Sequence, residues 1–186
     1  MTDIRSTETK SYPIVKIGTQ YWIGRSLEAT RYTDGSSINE IKDYQMNLPG
    51  YFTYNNKYFY TYPAIETGYL STIGWKIPNQ KEWDSLKDYL KNRASNLKSG
   101  SWKLIEKGDN YDALNKSYFN GIPEGYFINY EKTKGYAMKD AGVGYWVSQN
   151  KSDPETKGGV YLLNTNDEIR EGTTADRAIS VRCIRK

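Results

Sequence analysis

The sequence predicts a mixed α+β chain: small twisted antiparallel sheets, one main helix over about residues 79–93, and a half dominated by long loops. Three observations lead there. A helix with a complete start signal occurs once, near the middle of the chain. Short apolar or aromatic runs bounded by Gly, Asn or Pro recur on both sides of it. Hydrophobic residues make up only 37% of the chain, but 18 Tyr, 5 Trp and 4 Phe supply the area a core needs. The same aromatic content excludes a disordered chain. At 186 residues there is enough chain for one sizeable core and too little for two ordinary domains. We therefore expect a flexible N-terminal segment over 1–11 and a single domain over 12–186.

In order, Ile14, Val15 and Ile17 lead through a Gly18-Thr19 turn into Tyr21-Trp22-Ile23, a hairpin signal. Residues 30–47 are polar, with an Asp34-Gly35 turn; Ile38 and Ile41 then stand at helical spacing and predict a short helix. Two aromatic runs, 51–54 and 58–62, are split by Asn55-Asn56-Lys57 and read as strands. Pro63 ends that pattern, and Ala64-Ile65-Glu66 predicts a brief helical turn closed by Gly68. The main helix starts after Pro78. Asn79 is the N-cap, Glu82 completes a capping box, and Ile77 with Trp83 supply a hydrophobic staple. Trp83, Leu86 and Leu90 mark its apolar face. Beyond it, glycines at 100, 108, 121, 125, 135, 142 and 144 punctuate loops, with strands expected over 126–129, 144–148, 159–164 and 179–185. In the last, Ile179, Val181 and Cys183 alternate with Ser180 and Arg182, the pattern of a strand with one buried face.

Two absences narrow the chemistry. The chain has no His, which removes the Ser-His and Cys-His nucleophile pairs and the HExxH zinc site. Its one Cys, Cys183, allows no internal disulfide and no CxxC motif, and in a terminal strand it reads as buried filler. The net charge of +4 arises from 26 basic and 22 acidic residues that are interspersed, with no basic block to track a phosphate backbone. Nucleic acid is therefore not an expected partner. No stretch approaches the ~18 apolar residues that span a bilayer, and residues 1–10 lack the apolar core of a signal peptide.

Five stretches carry a resemblance. They are Val15-Lys16-Ile17-Gly18-Thr19-Gln20-Tyr21-Trp22; Gly74-Trp75-Lys76-Ile77-Pro78 leading to Glu82-Trp83; Phe119-Asn120-Gly121-Ile122-Pro123-Glu124-Gly125-Tyr126; Gly144-Tyr145-Trp146-Val147-Ser148; and Ser180-Val181-Arg182-Cys183. In this order and spacing the chain resembles the Fibrobacter succinogenes major paralogous domain family. The resemblance implies a C-type-lectin-like fold: termini joined in a small sheet, a helix after Gly-Trp-x-x-Pro, and a loop-rich half ending in the Gly-Tyr-Trp strand. It also implies a bacterial surface or secreted module, of the kind found in Bacteroidetes, with its export signal outside these residues. Similar chains carry a second Cys before Gly-Trp. Here Ser71-Thr72-Ile73 stands there, so no disulfide to Cys183 is available.

On that fold the region before the last strand holds much of the ligand face. The expected ligand-binding residues are Tyr145, Gln149, Asn150, Tyr161, Asn164, Asn166, Asp167, Arg170 and Asp176, a Tyr- and Asn-rich set like that of paratopes. Trp22, Trp75, Trp83 and Trp146 lie in the landmarks and read as core anchors. The expected function is non-enzymatic, adhesin-like recognition of a glycan or a protein, with no catalytic residue, no metal and no cofactor; the oligomeric state is left open. Calcium is the alternative cofactor, through oxygen clusters at 164–168 and 109–112, although neither has EF-hand spacing. Ile122-Pro123-Glu124 only approaches the Glu-Pro-Asn signature of calcium-dependent lectins. The alternative functions are a carbohydrate-active hydrolase or lyase, with Glu66, Glu124 or Asp140 in a carboxylate pair, and a structural or pilus-assembly subunit.

Overall fold

The aromatic runs and their turns fold as their spacing predicts. The computed structural model describes residues 1–103, 113–130, 133–148, 158–173 and 176–186. Among these, strands dominate and helices are few. Asn55 and Asn56 both take the left-handed backbone that a two-residue hairpin turn requires. They join β6 (Gly50–Tyr54) to β7 (Lys57–Thr61), and Pro63 then opens the short α1 (Tyr62–Glu66). Upstream, the Gly18 turn joins β3 (Ile14–Ile17) to β4 (Gln20–Ile23) as expected.

Two upstream expectations are corrected. The first eleven residues are a hairpin rather than a flexible tail: β1 (Thr2–Arg5) pairs with β2 (Glu8–Ser11). Its polar composition hid an inward-facing ion pair. The buried Arg5 guanidinium donates to Asp3 (2.9 Å), to the Arg31 carbonyl (2.7 Å) and to the Leu70 carbonyl (2.9 Å), fixing the hairpin to two distant segments. Residues 30–47 contain no helix. Ile38 and Ile41 are buried, but their N–H groups donate to Thr30 and Tyr51, and β5 (Asn39–Glu40) runs parallel to β6. A Cβ on Gly50 would lie 2.6 Å from the Asn39 carbonyl oxygen, so glycine is required at that approach.

The capping box of α2 (Gln80–Tyr89) is complete: the Asn79 side chain accepts from the Glu82 N–H at 3.1 Å, and Glu82 accepts from the Asn79 N–H at 2.9 Å. The staple does not form, because Ile77 and Trp83 are buried in separate apolar clusters. The helix also stops short of residue 93. Lys91 and Asn92 both have positive φ and turn the chain away after Leu90.

The strands are completed by β8 (Trp75–Lys76), β9 (Tyr126–Tyr130), β10 (Thr133–Ala137), β11 (Gly142–Trp146), β12 (Gly158–Leu163), β13 (Arg170–Thr173), β14 (Arg177–Ile179) and β15 (Ile184–Arg185). They form a six-stranded sheet β10-β9-β14-β7-β6-β5, a three-stranded sheet β11-β12-β13 and a four-stranded sheet β3-β4-β15-β8. In the last, Ile184 pairs with Trp22, so the two ends of the chain meet.

The terminal segment corrects another expectation. It is two short strands, and Ser180 and Arg182 are buried along with Ile179, Val181 and Cys183. Both faces are covered because the segment crosses from one apolar cluster to the other. Val181 and Cys183 belong to the cluster of Phe52, Phe59, Tyr60, Phe127 and Trp146, whereas Ile184 joins that of Trp22, Trp83, Phe119 and Tyr145. At the crossing the Arg182 guanidinium donates to the carbonyls of Ile23 (3.0 Å), Phe119 (2.7 Å) and Asn120 (2.8 Å). It lies 4.4 Å from the Phe119 ring centroid. Beside it the Glu124 carboxylate accepts from Ser26 and, at 2.8 Å, from Ser180.

Tyrosine hydroxyls bind segments that have no regular partner. The Tyr60 hydroxyl accepts from the Ala29 N–H (2.7 Å) and donates to the Ala29 carbonyl (2.8 Å), and the Tyr12 hydroxyl accepts from the Glu28 N–H (2.9 Å). Burial pushes the Tyr60 and Tyr12 phenols well above their ordinary value and the Cys183 thiol up to about 12.

Two predictions follow from the crossing and the phenols. Arg182→Met, which keeps volume but strands three buried carbonyls, is expected to cost about 3 kcal/mol or more in urea unfolding; a loss under about 1 kcal/mol would show the clasp to be dispensable. Above pH 10 the unfolded chain ionises phenols that the folded chain keeps protonated, so stability must fall as pH rises. Ultraviolet absorbance should show the buried Tyr60 and Tyr12 phenols ionising only on unfolding.

Candidate functional site

The nine expected site residues do not form one surface. Gln149 and Asn150 lie outside the described residues, as does the cluster at 109–112. Tyr145 is not a ligand-facing residue: its side chain is fully buried between Trp83 (6.0 Å) and Phe119 (5.5 Å). Burial pushes its phenol up to about 12 against the pull of the neighbouring Arg182 guanidinium. The sequence missed this because its neighbours arrive from α2 and the loop before Phe119, far away along the chain.

Asn164, Asn166 and Asp167 build a turn rather than a free loop face. The Asn164 amide donates to the Lys103 carbonyl at 2.7 Å, and the Asn166 side chain accepts from the Glu168 N–H at 3.2 Å. Asp167 accepts from the Ser95 N–H, from the Ser95 hydroxyl at 3.0 Å and from Arg93 at 2.9 Å. Burial raises its carboxyl, but these donors outweigh that and hold it below the usual carboxylate range. Inside the same turn the ammonium of Lys98 donates to the carbonyls of Leu163 (2.7 Å) and Asn166 (2.9 Å), and desolvation lowers its pKa to about 8. Asp176 is exposed, and its carbonyl accepts from the Asn129 N–H.

Tyr161 and Arg170 do meet. They are cross-strand partners in β12 and β13, and both line a groove of about 340 Å³ with Tyr126, Glu171, Thr173 and Arg177. Tyr126 and Tyr161 contact edge to face at 5.8 Å, and the Arg177 guanidinium sits 5.2 and 5.3 Å from their ring centroids. Burial pushes the Tyr161 phenol up to about 12, with Arg177 opposing. The floor is therefore rigid and aromatic. The β13 wall is an exposed sheet edge, and Arg170 on it is 53% exposed. Tyr126 and Arg177 were not expected at a site. Arg177 and Ala178 lie before the strand expected over 179–185 and carried no signal, and pairing of β14 with β9 brings Arg177 to Tyr126.

Two other concavities bear on the alternatives. A cavity of about 250 Å³ is lined by Tyr54 and Tyr136, stacked at 4.0 Å, and by both Glu124 and Asp140. Two of the three carboxylates considered for hydrolysis thus share a cavity. The Glu124 carboxylate, however, is held inside by Ser26 and Ser180, and its second oxygen is also enclosed. Near the end of α2 a cleft of about 450 Å³ is lined by Lys16, Lys91, Arg93 and Lys116 with Tyr89 and Tyr118. Among the described residues no group of three or more His, Cys, Asp or Glu is placed to hold a metal, and no helix is long and apolar enough to cross a membrane.

The five landmarks converge on the two apolar clusters and on the Arg182 crossing. The profile of the Fibrobacter succinogenes major domain matches residues 15–185. The chain belongs to that family. No curated protein and no solved structure matches it. In this family member Trp22, Trp75, Trp83 and Trp146 are all buried, as core anchors are. The Thr72 backbone faces the Cys183 sulfur.

The Asp167 turn yields a stability prediction. A carboxyl with a depressed folded pKa contributes stability above its unfolded value, near 3.8, that is lost as pH falls. Asp167→Asn is expected to lose about 1.5–3 kcal/mol at pH 7. Unfolding followed from pH 7 to pH 3 should show a smaller decline for the variant than for the native chain.

Proposed function

We propose that this chain is a non-enzymatic glycan-binding module of a bacterial surface or secreted protein, built on a C-type-lectin-like fold. The observation that carries the reading is the groove between β9 and β13. There Arg177, held against two tyrosine rings, forms a preorganised floor beside the open Arg170, Glu171 and Thr173 edge. Such a floor binds without losing much side-chain freedom, and the β13 edge supplies adaptable hydrogen bonding. The fold reading is supported by the pairing of β15 between β4 and β8, by α2 following the Gly-Trp-x-x-Pro stretch, and by the Gly-Tyr-Trp strand β11. Enclosure of the Glu124 carboxylate favours binding over hydrolysis, since a catalytic acid or base has to reach its substrate.

The test is a broad glycan array probed with the whole chain, once with calcium and once with a chelator. A specific signal that survives chelation is expected, and Arg170→Ala together with Thr173→Arg should reduce it by about tenfold or more, the loss of one good contact. Both residues are exposed, so the melting temperature should hold. Binding untouched by these substitutions would move the site elsewhere, and no glycan signal would overturn the reading in favour of a protein ligand or an assembly role.

A further inference from the structure

The cleft at the end of α2 has features that the core does not explain. Four cations line it, and among the described residues no carboxylate does. Arg93 is paired with Asp167, while Lys16, Lys91 and Lys116 form no ion pair among the described residues. Two of the most exposed aromatic side chains of the fold, Tyr89 at 63% and Tyr118 at 71%, stand in the same cleft. The Tyr89 ring is fixed from below: a Cβ on Gly18 would come within 3.1 Å of it, so the ring lies on the bare backbone of the β3–β4 turn and shows its other face to solvent.

Backbone strain is concentrated here too. Lys91 (φ 54°) follows the C-cap of α2 at the place where a left-handed residue is most often glycine. Tyr118 (φ 58°) is a bulky residue in the same disfavoured region. Both side chains are exposed, so neither conformation is repaid by core packing. The Lys91 conformation closes the end of α2 through the bonds from the Lys91 and Asn92 N–H groups to the Asp88 and Lys87 carbonyls, and the Tyr118 N–H bonds the Asn115 carbonyl; together the two turns place a cation and a ring on the rim of one cleft.

We infer that this cleft is a second binding site, separate from the β9–β13 groove, and that it takes a carboxylate- or sulfate-bearing oligosaccharide. A fixed, exposed tyrosine face stacks on a sugar ring, as amphipathic aromatic surfaces do. Lys16, Lys91 and Lys116, which form no ion pair among the described residues, supply point charges for the anionic substituents, and a volume of about 450 Å³ lies within the range of small-ligand sites. The remaining charges of the chain are of both signs and interspersed along the sequence. That distribution suits a short acidic saccharide rather than the long phosphate track of a nucleic acid.

Titration calorimetry of the whole chain at low salt tests this with trigalacturonate, a sulfated trisaccharide, neutral maltotriose and a thymidine tetranucleotide. Trigalacturonate or the sulfated sugar should bind, and which one does identifies the anionic group; affinity should fall as salt is raised, and the neutral sugar should not bind. The deciding variants are Lys91→Gly and Tyr118→Gly. Glycine relieves the left-handed strain, so each variant should melt higher than the native chain. If the strain serves binding, each should also bind the acidic sugar about tenfold more weakly, while Arg170→Ala leaves that affinity unchanged. Higher stability with unchanged affinity would overturn the proposal. So would equal binding of maltotriose, tighter binding of the tetranucleotide, or no binding of either acidic sugar.

Discussion

The Arg182 guanidinium is the interaction on which the arrangement of the chain depends. A buried cation is costly unless it is hydrogen-bonded by the groups that enclose it; the two terminal nitrogens of Arg182 are bonded, while its Nε is enclosed without a partner among the described residues. Here the partners are backbone carbonyls from the end of β4 and from the loop that carries Phe119 and Asn120, so one side chain sets the positions of two segments nearly a hundred residues apart. Phe119 and Tyr145, whose rings flank the guanidinium, are members of the Trp22–Trp83 cluster. The aromatic cluster and the cation therefore form one unit.

Around that unit the fold solves a recurrent problem of loop-rich chains, which is that irregular backbone still has to be hydrogen-bonded when it is buried. Residues 24–38 have few strand partners, and side chains supply them. Tyr60 and Tyr12 bind Ala29 and Glu28, Arg5 binds Arg31, and Ser26 closes on Glu124. Part of the tyrosine content is thus explained within the core: at Tyr60 and Tyr12 a phenol contributes apolar area and a hydrogen-bonding tip to the same place. It also links stability to alkaline pH, since each enclosed phenol resists ionisation.

What was legible in the sequence was local. The capping box at Asn79 and Glu82, the Asn55-Asn56 turn and the Gly18 turn are decided by neighbours within a few residues, and all three formed as read. What was not legible was decided across the chain. The alternation in β1 looked like a polar tail because Asp3 and Arg5 are apolar in nothing but their location. Residues 179–185 looked like a half-exposed strand because no local pattern announces an arginine used on the inside. The site suffered likewise. Tyr145 and Asp167 are of types that serve recognition, but Trp83 and Ser95 claim them from other elements, whereas Arg177 joins Tyr126 only through the pairing of β14 with β9.

The same distinction separates the family's signature from the recognition chemistry proposed for this chain. The residues that mark the family, the tryptophans with Arg182, Glu124 and Phe119, are consumed by packing and by buried hydrogen bonds, and so are unavailable to a ligand. Of the landmark residues, Lys16, Ile17 and Gly18 contribute to the cleft at the end of α2, Lys16 as a charge and Gly18 as the bare backbone beneath Tyr89. Its other cations and both its rings fall between landmarks, as do Arg170, Glu171 and Thr173 at the groove. A scaffold whose constraints lie mostly inside, and whose open concavities are lined largely from the intervening segments, leaves those lining residues free to change without disturbing the core. Lys91 and Tyr118 stand at the boundary between these two demands: their left-handed backbone closes the end of α2 and the turn before Phe119, while their side chains stand out on the rim of the cleft.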